Sequence, residues 1–496
     1  MIVEICLLAL SIVLIFQLSR KPKNFPPGPM GLPFIGYLPF VNKLDPYVHK
    51  AMKKLAEIHG PVTGFYLGPF QPFISVCGYE AVKEALHNED LNGRPSSGTI
   101  TERTFGKKLG IMFTDGDFLR EQRRFTLRHL RDLGFGRTSS ENLIHEEIHE
   151  LIEEIKISAS SHPDSVVDFK ALFNPTLINI LWAFIAGKRY KHNDEELNRL
   201  LHMVDLFVAS GNNVRSNLPI PAVLLRNFPI LKKIIGLRTD MFVPIQNFIR
   251  AAIDEHEENP SEDDPRDFID VYLSEAKKHE KVNPVSTFHK EQLISLIFDL
   301  FIAGGDTTGN SIGFVLLYLI HHPDVQRKMQ EELDSVCGSS MPTLAQRPSL
   351  PYTEAVLLEA SRLSSIVPFS IPHYALKDTQ LQGSTIPKGS IVQINLYSVH
   401  LDEKYWNDPE EFQPERHLSA DGTTVIKSDR ILPFGAGKRM CLGESLARNT
   451  LYLFVTSLVK SFQFQAIPNE PLPTLDPRMG FVQVYAPFKA VIKSRN

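Results

Sequence analysis

Apolar residues recur at helical spacing along most of this chain. Apolar positions three and four residues apart place one face of a helix against a core. Such patterns predict helices over residues 46–59, 116–136, 141–160, 169–187, 194–210, 231–256, 290–321, 351–362 and 444–460. Shorter apolar runs bounded by turn residues predict strands at 62–67 and 73–76, and a hairpin of 381–386 with 391–396 around Pro387, Lys388 and Gly389. The pattern therefore indicates a mostly helical protein with a small β region.

An apolar segment opens the chain. Residues 2–18 are apolar apart from a glutamate, a serine and a glutamine, and about 17–25 residues span a bilayer. Arg20, Lys21 and Lys23 follow, and basic residues keep that side cytosolic. A cleaved signal peptide is the alternative, but the positive charge before the apolar run and the small residues of a cleavage site are both missing. We predict an anchor at 1–20, a basic, proline-rich hinge at 21–40 and one cytosolic domain at 41–496.

Composition excludes several classes of protein. The chain has 496 residues, of which 43% are hydrophobic and 22% charged, as in folded globular proteins. Its net charge of −4 gives no reason to expect nucleic-acid binding. The 4 cysteines are Cys6, Cys77, Cys337 and Cys441. Because they lie far apart and form no CxxC pair, neither a zinc site nor a disulfide scaffold is expected.

The longest predicted helix, 290–321, contains an unusual centre. Its sequence there is Ala303-Gly304-Gly305-Asp306-Thr307-Thr308. Two glycines inside a helix cost roughly 1 kcal/mol each relative to alanine, and a buried carboxylate is costly without a partner or a task. Close helix packing through small residues is one interpretation. The other is a distorted, opened turn, in which Asp306 and the hydroxyl of Thr307 deliver protons.

A glycine-rich loop from Phe434 to Gly443 carries a single cysteine. Glycines allow close backbone approach, and Arg439 lies two residues before Cys441. Basic neighbours favour the thiolate, which is the form that ligates metal. The first turn of the helix predicted at 444–460 would lie over the sulfur, where its amides stabilise negative charge. A turn with a buried cysteine is the plain alternative.

This loop resembles the haem-binding signature of the cytochromes P-450, Phe-x-x-Gly-x-Arg-x-Cys-x-Gly. The residues that match it are Phe434, Gly437, Arg439, Cys441 and Gly443. The resemblance implies that Cys441 is the axial thiolate ligand of haem iron, an arrangement that favours O–O cleavage. It also implies the mostly α-helical fold of that family, with a small β region and haem between the long distorted helix and the cysteine loop, so that 41–496 is a haem-thiolate domain.

Two further motifs are similar to those of the same family. The string at 303–308 resembles its oxygen-activation motif, which implies catalytic roles for Asp306 and Thr307. Glu359 and Arg362 resemble its Glu-x-x-Arg pair, closed by Arg416 as the third member. The family usually has Phe where His417 stands. These three charged residues are expected to hold the structure around the haem pocket.

Basic residues are candidates for binding the haem propionates. In the stretch 116–136, Arg123 matches a family arginine, while Leu119 stands where the family has Trp. Lys107 and His373 align with further basic partners. A solvated basic face, or an ordinary loop histidine, is the alternative. Outward-facing arginines of the same stretch would form a positive surface for an acidic electron donor.

The resemblance implies a monooxygenase that places one oxygen atom of O2 in a small apolar substrate. Electrons would come from NADPH through a flavoprotein reductase at the endoplasmic reticulum membrane, with cytochrome b5 as a second candidate partner. The strings at 103–107 and 126–136 look like insect microsomal members, especially the epoxidases of farnesoic acid or methyl farnesoate in juvenile-hormone synthesis. Alternatives are a xenobiotic, fatty-acid or steroid hydroxylase, a peroxide isomerase, and a haem-binding sensor or carrier without turnover.

Overall fold

A computed structural model describes residues 21–495, except for 33–35, 69, 170–171, 211–226, 229, 231–232, 234–240, 262–263, 283–285 and 479. The anchor predicted at 1–20 lies outside the described residues. Among the residues that are described, no helix has both the length and the apolar character required to cross a membrane.

Helices make up most of the described chain. They are α1 (Leu38–Leu44), α2 (Val48–His59), α3 (Tyr79–His87), α4 (Gly98–Thr101), α5 (Gly116–Asp132), α6 (Glu141–Ser160), α7 (Asn174–Ala186), α8 (Glu195–Ser210), α9 (Phe242–Glu258), α10 (Phe268–Val282), α11 (Lys290–His321), α12 (Pro323–Cys337), α13 (Pro351–Ser364), α14 (Tyr397–His400) and α15 (Glu444–Ser461). The mostly helical fold is confirmed.

The helix α11 runs through the main core and is apolar almost all round, as buried helices are. Glycines let its neighbours approach closely. A Cβ at Gly304 would lie 2.6 Å from Leu181 of α7, and one at Gly313 would lie 2.3 Å from the ring of Tyr485. The helix is continuous through 303–308, so the predicted opening of a turn is not present. The small residues serve helix packing here.

Two small sheets and a hairpin accompany the helices. The first sheet has the order β1-β2-β7-β4, with β1 (Val62–Leu67) antiparallel to β2 (Gln71–Val76), β7 (Ile391–Ile394) parallel to β2, and β4 (His373–Tyr374) antiparallel to β7. The second has the order β3-β9-β8, from β3 (Val166–Asp168), β9 (Lys489–Ser494) and β8 (Phe462–Gln465). The sheets hold the first and last parts of the chain against the helical core.

The predicted hairpin of 381–386 with 391–396 is wrong. The structure instead pairs β5 (Thr379–Leu381) with β6 (Ser384–Ile386). The turn lies at Gln382 and Gly383, whose φ angles of 48° and 76° match the two-residue turns that suit hairpins. The segment after Pro387 continues into β7, which pairs with β2 and β4. Long-range pairing, which local pattern does not report, decided this register.

Sequence pattern also missed several helices. The helices α3, α10 and α12 were not predicted, although Pro323 at the first position of α12 is a favoured helix start. The helix predicted from residue 231 is described from Phe242, and part of the stretch before it lies outside the described residues. Helix boundaries are the part of a fold that propensity determines least well.

Candidate haem site

The Cys441 loop is held rigidly by the backbone. The N–H of Cys441 donates to the carbonyl oxygen of Phe434 at 2.9 Å, which closes the loop over a 3-10 turn at Gly437–Arg439. Gly443 caps the N-terminus of α15, and the amides of Gly443 and Glu444 donate to the sulfur. The guanidinium of Arg448 lies 4.8 Å from the ring centroid of Phe434. The first turn of α15 therefore lies over the sulfur, as predicted.

The thiol of Cys441 sits in a recess that remains accessible. Burial raises its pKa, and this outweighs the opposing effects of the Gly443 amide and the Arg123 cation. The cation that favours the thiolate is therefore Arg123 and not the predicted neighbour Arg439, and it does not produce a thiolate by itself. A metal that binds the sulfur displaces its proton, which makes binding pH-dependent.

Gly437 is required by a close approach to α3. Its φ is +69°, and a Cβ there would lie 2.2 Å from the carbonyl oxygen of Leu86. Gly435 has nearly the same φ of +68°, but a Cβ there would meet no atom of the described residues within 4 Å. The signature glycine at 437 therefore serves the packing of the loop on α3.

Three arginines and a histidine converge beside the loop. Burial lowers the pKa of Arg94, and repulsion from Arg439 and Arg123 lowers it further. Burial likewise lowers the pKa of Arg439 to about 10, with Arg123 adding to the effect. The pKa of His373 is well below its usual value because of burial and the cations of Arg94 and Arg439. Cations that lower one another's pKa values repel one another, so an anion bound among them would stabilise them.

Backbone carbonyls hold these groups in place. Arg94 donates to the carbonyl oxygens of Met112 and Pro372, each at 3.3 Å, and Arg439 donates through Nε to Asn92 at 2.8 Å. Arg123 donates to the carbonyl oxygen of Met440. His373 donates through Nδ1 to Leu91 at 2.7 Å. Carbonyls orient the cations without neutralising them.

The cluster fits the two carboxylates of haem. Asp115 is the acid that acts on both Arg94 and Arg439, and its own Oδ2 already pairs with Lys108 at 2.5 Å. Asp115 therefore leaves part of the positive charge unbalanced, and one of the cations, Arg123, lies within interaction range of Cys441. Charge-assisted bonds from arginines to carboxylates are strong. A thiol ligand beside a cationic cluster is a donor set that fits a haem with a thiolate ligand.

The predicted propionate partner Lys107 lies elsewhere, and the missing family Trp is not replaced at Leu119. Lys107 forms an exposed ion pair with Glu291 of α11 at 2.5 Å, so the structure does not bring it into the cluster. Leu119 is buried in α5 and offers no hydrogen bond where the family has Trp. Arg94, which the sequence analysis did not single out, is the buried cation that the structure supplies.

A short stretch of α11 is accessible, although most of this helix is buried. Ala303 is exposed, and Ile302, Gly304 and Thr307 are half-buried. The hydroxyl of Thr307 donates to the carbonyl oxygen of Ala303 at 2.8 Å. We call the accessible space at Ala303 and Thr307 the interior cleft, and the hydroxyl of Thr307 faces it.

Asp306 is buried beside Thr307. Burial raises its pKa to about 7, the negative charge of Asp205 adds to this, and a hydrogen bond from Asn174 opposes it. A carboxyl group with a pKa near neutrality both accepts and releases protons under physiological conditions. The pair predicted to handle protons thus has the acid strength that this role needs.

The predicted Glu359–Arg362–Arg416 group is assembled as a buried network. Both oxygens of Glu359 accept from Arg362 at 2.8 Å, and Oε1 also accepts from Arg416 at 2.9 Å. His417 is a fourth member that sequence reasoning treated only as a departure from Phe. Its Nε2 lies 2.7 Å from Oε2 of Glu359. Arg362 also donates to the carbonyl oxygens of His400, at the end of α14, and of Pro409, in the loop that precedes Arg416, which ties both to α13.

The C-terminal segment, which contains Arg478, Phe481, Gln483 and Tyr485, packs beside α11. The amide of Phe481 donates to Val208 of α8, and that of Gln483 donates to Ile366 at 2.7 Å. Val367 is half-buried against the main core next to this contact. Phe369, two residues further along, packs against His49. Apolar residues from α8, the segment after α13 and the C-terminal segment therefore meet here.

The chain is similar to known proteins over nearly its whole length. The sequence profile of the cytochrome P-450 family matches residues 26–492. The farnesoate epoxidase of Bombyx mori is 33% identical over 503 residues, which cover 99% of each chain. Cytochrome P-450 2L1 of Panulirus argus is 32% identical over 487 residues, 97% of each chain. Cytochrome P-450 2J2 of Homo sapiens is 36% identical over 474 residues, 94% of this chain and 90% of the relative.

Proposed function

The chain belongs to the cytochrome P-450 family and is a monooxygenase, and from that premise we propose that it oxidises an apolar terpenoid with electrons from NADPH. One oxygen atom of O2 enters the substrate and the other leaves as water, while NADPH and one proton supply the remaining two electrons and the hydrogen. The observation that carries the proposal is the group of three arginines beside the accessible sulfur of Cys441, whose charge Asp115 balances only in part.

Four groups would hold the haem propionates, and one would hold its iron. Arg94, Arg123 and Arg439 supply the cations, and His373 beside them would become a further donor when a propionate raises its low pKa. Cys441 supplies the thiolate, which donates electron density to the iron and so favours O–O cleavage when haem is bound. The remaining loop residues shape the loop. The carbonyl of Phe434 accepts from the Cys441 amide, Gly437 packs on α3, and Gly443 caps α15.

Asp306 and Thr307 are proposed to move protons to the interior cleft. The hydroxyl of Thr307 is half-exposed there, and the buried carboxyl of Asp306 has a pKa of about 7. An acid that regains its proton near neutral pH can recharge the hydroxyl after each transfer. A haem carrier without turnover has no use for this pair, which favours catalysis.

The electron donor is proposed to bind a basic patch on α5, formed by Arg120, Arg124, Arg128 and Arg131. All four side chains are exposed, and Arg120 alone is paired with a neighbour, Asp117, among the ion pairs described for them. A positive surface attracts an acidic flavoprotein and speeds its association. We propose NADPH–cytochrome reductase as the donor, with cytochrome b5 as a second partner and the endoplasmic reticulum membrane as the location.

Epoxidation of farnesoic acid or methyl farnesoate is the proposed specific reaction. The farnesoate epoxidase of Bombyx mori aligns with 99% of this chain. Val208, Ile366 and Val482 are buried apolar residues at the contact between the C-terminal segment and α8, and apolar surroundings of this kind suit a hydrocarbon chain. Epoxidation adds one oxygen across a double bond without breaking a C–H bond. Hydroxylation of a xenobiotic, fatty acid or steroid is the second candidate.

The test is turnover by the purified full-length protein with reductase and NADPH in lipid vesicles. Farnesoic acid, methyl farnesoate, a medium-chain fatty acid and a steroid are offered in parallel, and products are identified by mass spectrometry. Formation of one epoxide per NADPH from a farnesoid supports the proposal. Hydroxylation of the other compounds alone would assign the second candidate. Conversion of a peroxide without NADPH would indicate an isomerase, and haem and CO binding without any turnover would indicate a carrier.

A further inference from the structure

An asparagine on α7 holds the carboxyl group of Asp306. The Nδ2 of Asn174 donates to Oδ1 of Asp306 at 2.8 Å, across two helices far apart in sequence. Asn174 is the first residue of α7, so its side chain leaves the end of that helix and reaches α11. The other carboxyl oxygen, Oδ2, is buried and has no hydrogen-bond partner among the described residues.

Gly309 makes room for this contact. It lies one turn after Asp306 on α11, and a Cβ at this position would lie 2.6 Å from Oδ1 of Asn174. That distance is shorter than side chains tolerate, so any larger residue displaces the amide. Gly309 therefore serves the asparagine, whereas Gly304 serves the packing against Leu181.

The charged groups that act on Asp306 come from two other elements. Asp205 of α8 raises its pKa and Arg478 of the C-terminal segment lowers it, and these two form an ion pair at 3.7 Å. Their charges oppose each other. The amide of Asn174 is thus the direct polar contact that determines the orientation of the carboxyl group.

We propose that Asn174 is a positioning residue for proton delivery, which fixes Asp306 by binding Oδ1 and leaves Oδ2 as the oxygen that carries the proton. An amide N–H can donate to the carboxylate and to the carbonyl oxygen of the acid, so the contact persists in both protonation states. The proton is then confined to Oδ2. This inference rests on the proposed function of Asp306.

The experiment compares Asn174→Leu with Asn179→Leu in the full-length ferric enzyme. Asn179 is a buried asparagine on the same helix that binds Tyr190 and Glu147 and does not contact Asp306 in the structure. Infrared difference spectra over a pH titration give the carbonyl band and proton affinity of Asp306, and Asp306→Asn identifies the band. Product formed per NADPH is measured in parallel.

In Asn174→Leu the carbonyl band shifts to higher frequency. The proton affinity of Asp306 rises about tenfold, because one hydrogen bond to the carboxylate is lost. Product per NADPH falls at least several-fold, and Asn179→Leu resembles the wild type in both readouts. If Asn174→Leu does not fold, Gly309→Ala displaces the same amide and is expected to give the same band shift.

Two outcomes separate the inference from the function on which it rests. An unchanged Asp306 band in Asn174→Leu and in Gly309→Ala, with Asp306→Asn uncoupled, overturns the role of Asn174 and leaves the proton role of Asp306 standing. Wild-type coupling in Asp306→Asn overturns the proton role itself and therefore the catalytic consequence of Asn174. A shifted band together with uncoupling in both variants supports the inference.

Discussion

Nε2 of His417 lies 2.7 Å from Oε2 of Glu359, and both side chains are buried. Glu359 also accepts from Arg362 and Arg416, so one carboxylate balances the fully buried guanidinium of Arg362 and the partly buried one of Arg416. Burial alone would raise the pKa of Glu359, but hydrogen bonds from Arg362 and His417 outweigh it and hold the pKa at about 2.

The first prediction is that Glu359 makes stability pH-dependent below neutrality. Its folded pKa of about 2 lies below the ordinary value of 4.5, so its contribution is complete above pH 4.5 and is lost as the pH falls through 2. The shift corresponds to about 3 kcal/mol. Denaturant unfolding of wild type and Glu359→Gln between pH 2 and 7 measures this contribution, and the acid-dependent loss of stability should be smaller in the variant by that amount.

His417→Phe provides the control for that measurement. It removes one hydrogen bond to the carboxylate but keeps both arginine contacts, so we expect a loss of about 2 kcal/mol and a folded protein. Glu359→Gln leaves the buried Arg362 and the partly buried Arg416 without their anion and should cost more. Equal losses in the two variants would contradict the view that the arginines need the Glu359 charge.

The second prediction concerns the iron ligand. Cys441→Ser replaces the sulfur but keeps the loop, because the Cys441 amide and the Phe434 carbonyl still close it. The spectrum of the reduced CO complex is expected to lose its thiolate character, while some haem stays bound through the cationic cluster. A thiolate-type spectrum in this variant would assign the ligand to another residue. Cys77→Ser, which alters a buried thiol remote in sequence, should leave the spectrum unchanged.

The third prediction concerns proton delivery by Thr307. Thr307→Ala removes the hydroxyl that faces the cleft, so electrons should be diverted to hydrogen peroxide and product per NADPH should fall about tenfold. Haem binding should be unaffected. Thr307→Ser retains a hydroxyl and is expected to keep most of the coupling. Unchanged product yield in the alanine variant would remove Thr307 from the mechanism.

The fourth prediction separates two glycines that share one backbone conformation. Gly437→Ala places a Cβ 2.2 Å from the carbonyl oxygen of Leu86, whereas Gly435→Ala meets only open space among the described residues. Both substitutions carry the strain of positive φ, about 1 kcal/mol. Thermal unfolding of the ferric proteins should therefore show a much larger loss for Gly437→Ala. Equal losses would mean that backbone strain alone explains the glycine.

The fifth prediction addresses the basic patch. Reversing Arg124 and Arg128 to glutamate should raise the KM for reductase about tenfold at low salt, and the difference should shrink as salt screens the charges. Lys191→Glu reverses an exposed charge outside the patch and should have no such effect. Turnover driven by hydrogen peroxide instead of reductase should be unchanged in every variant. Loss of the peroxide-driven reaction would indicate damage to the haem site.

The features that sequence predicted well are local. Each of them lies in one continuous segment, where spacing along the chain brings the side chains together. They are the Cys441 loop, the Glu359–Arg362 pair and the long helix α11. Arg416 was placed by order in the chain, and the structure confirms its contact with Glu359. Lys107 was placed by alignment in the same way and instead pairs with Glu291. Position along a loop does not determine the direction of a long side chain.

The features that sequence missed depend on contacts between distant segments. Arg94 stands in an ordinary loop sequence, and only the carbonyls of Met112 and Pro372 turn it inward. No sequence pattern connects Asn174 with Asp306. The sequence shows that Gly309 lies three residues after Asp306, but it does not show that this glycine makes room for Asn174. The register of β7 is likewise set by β2, far away in the chain. Tertiary contacts override local pattern at such positions.

The meeting of Arg94, Arg123 and Arg439 has a consequence for biosynthesis. These cations come from a loop, from α5 and from the cysteine loop, and they repel one another only once the chain is folded. A dianion that binds the assembled cluster and not the unfolded chain shifts the folding equilibrium by mass action. We therefore expect haem supply to set the fraction of newly made chains that is folded, and the unfolded remainder to be open to proteolysis.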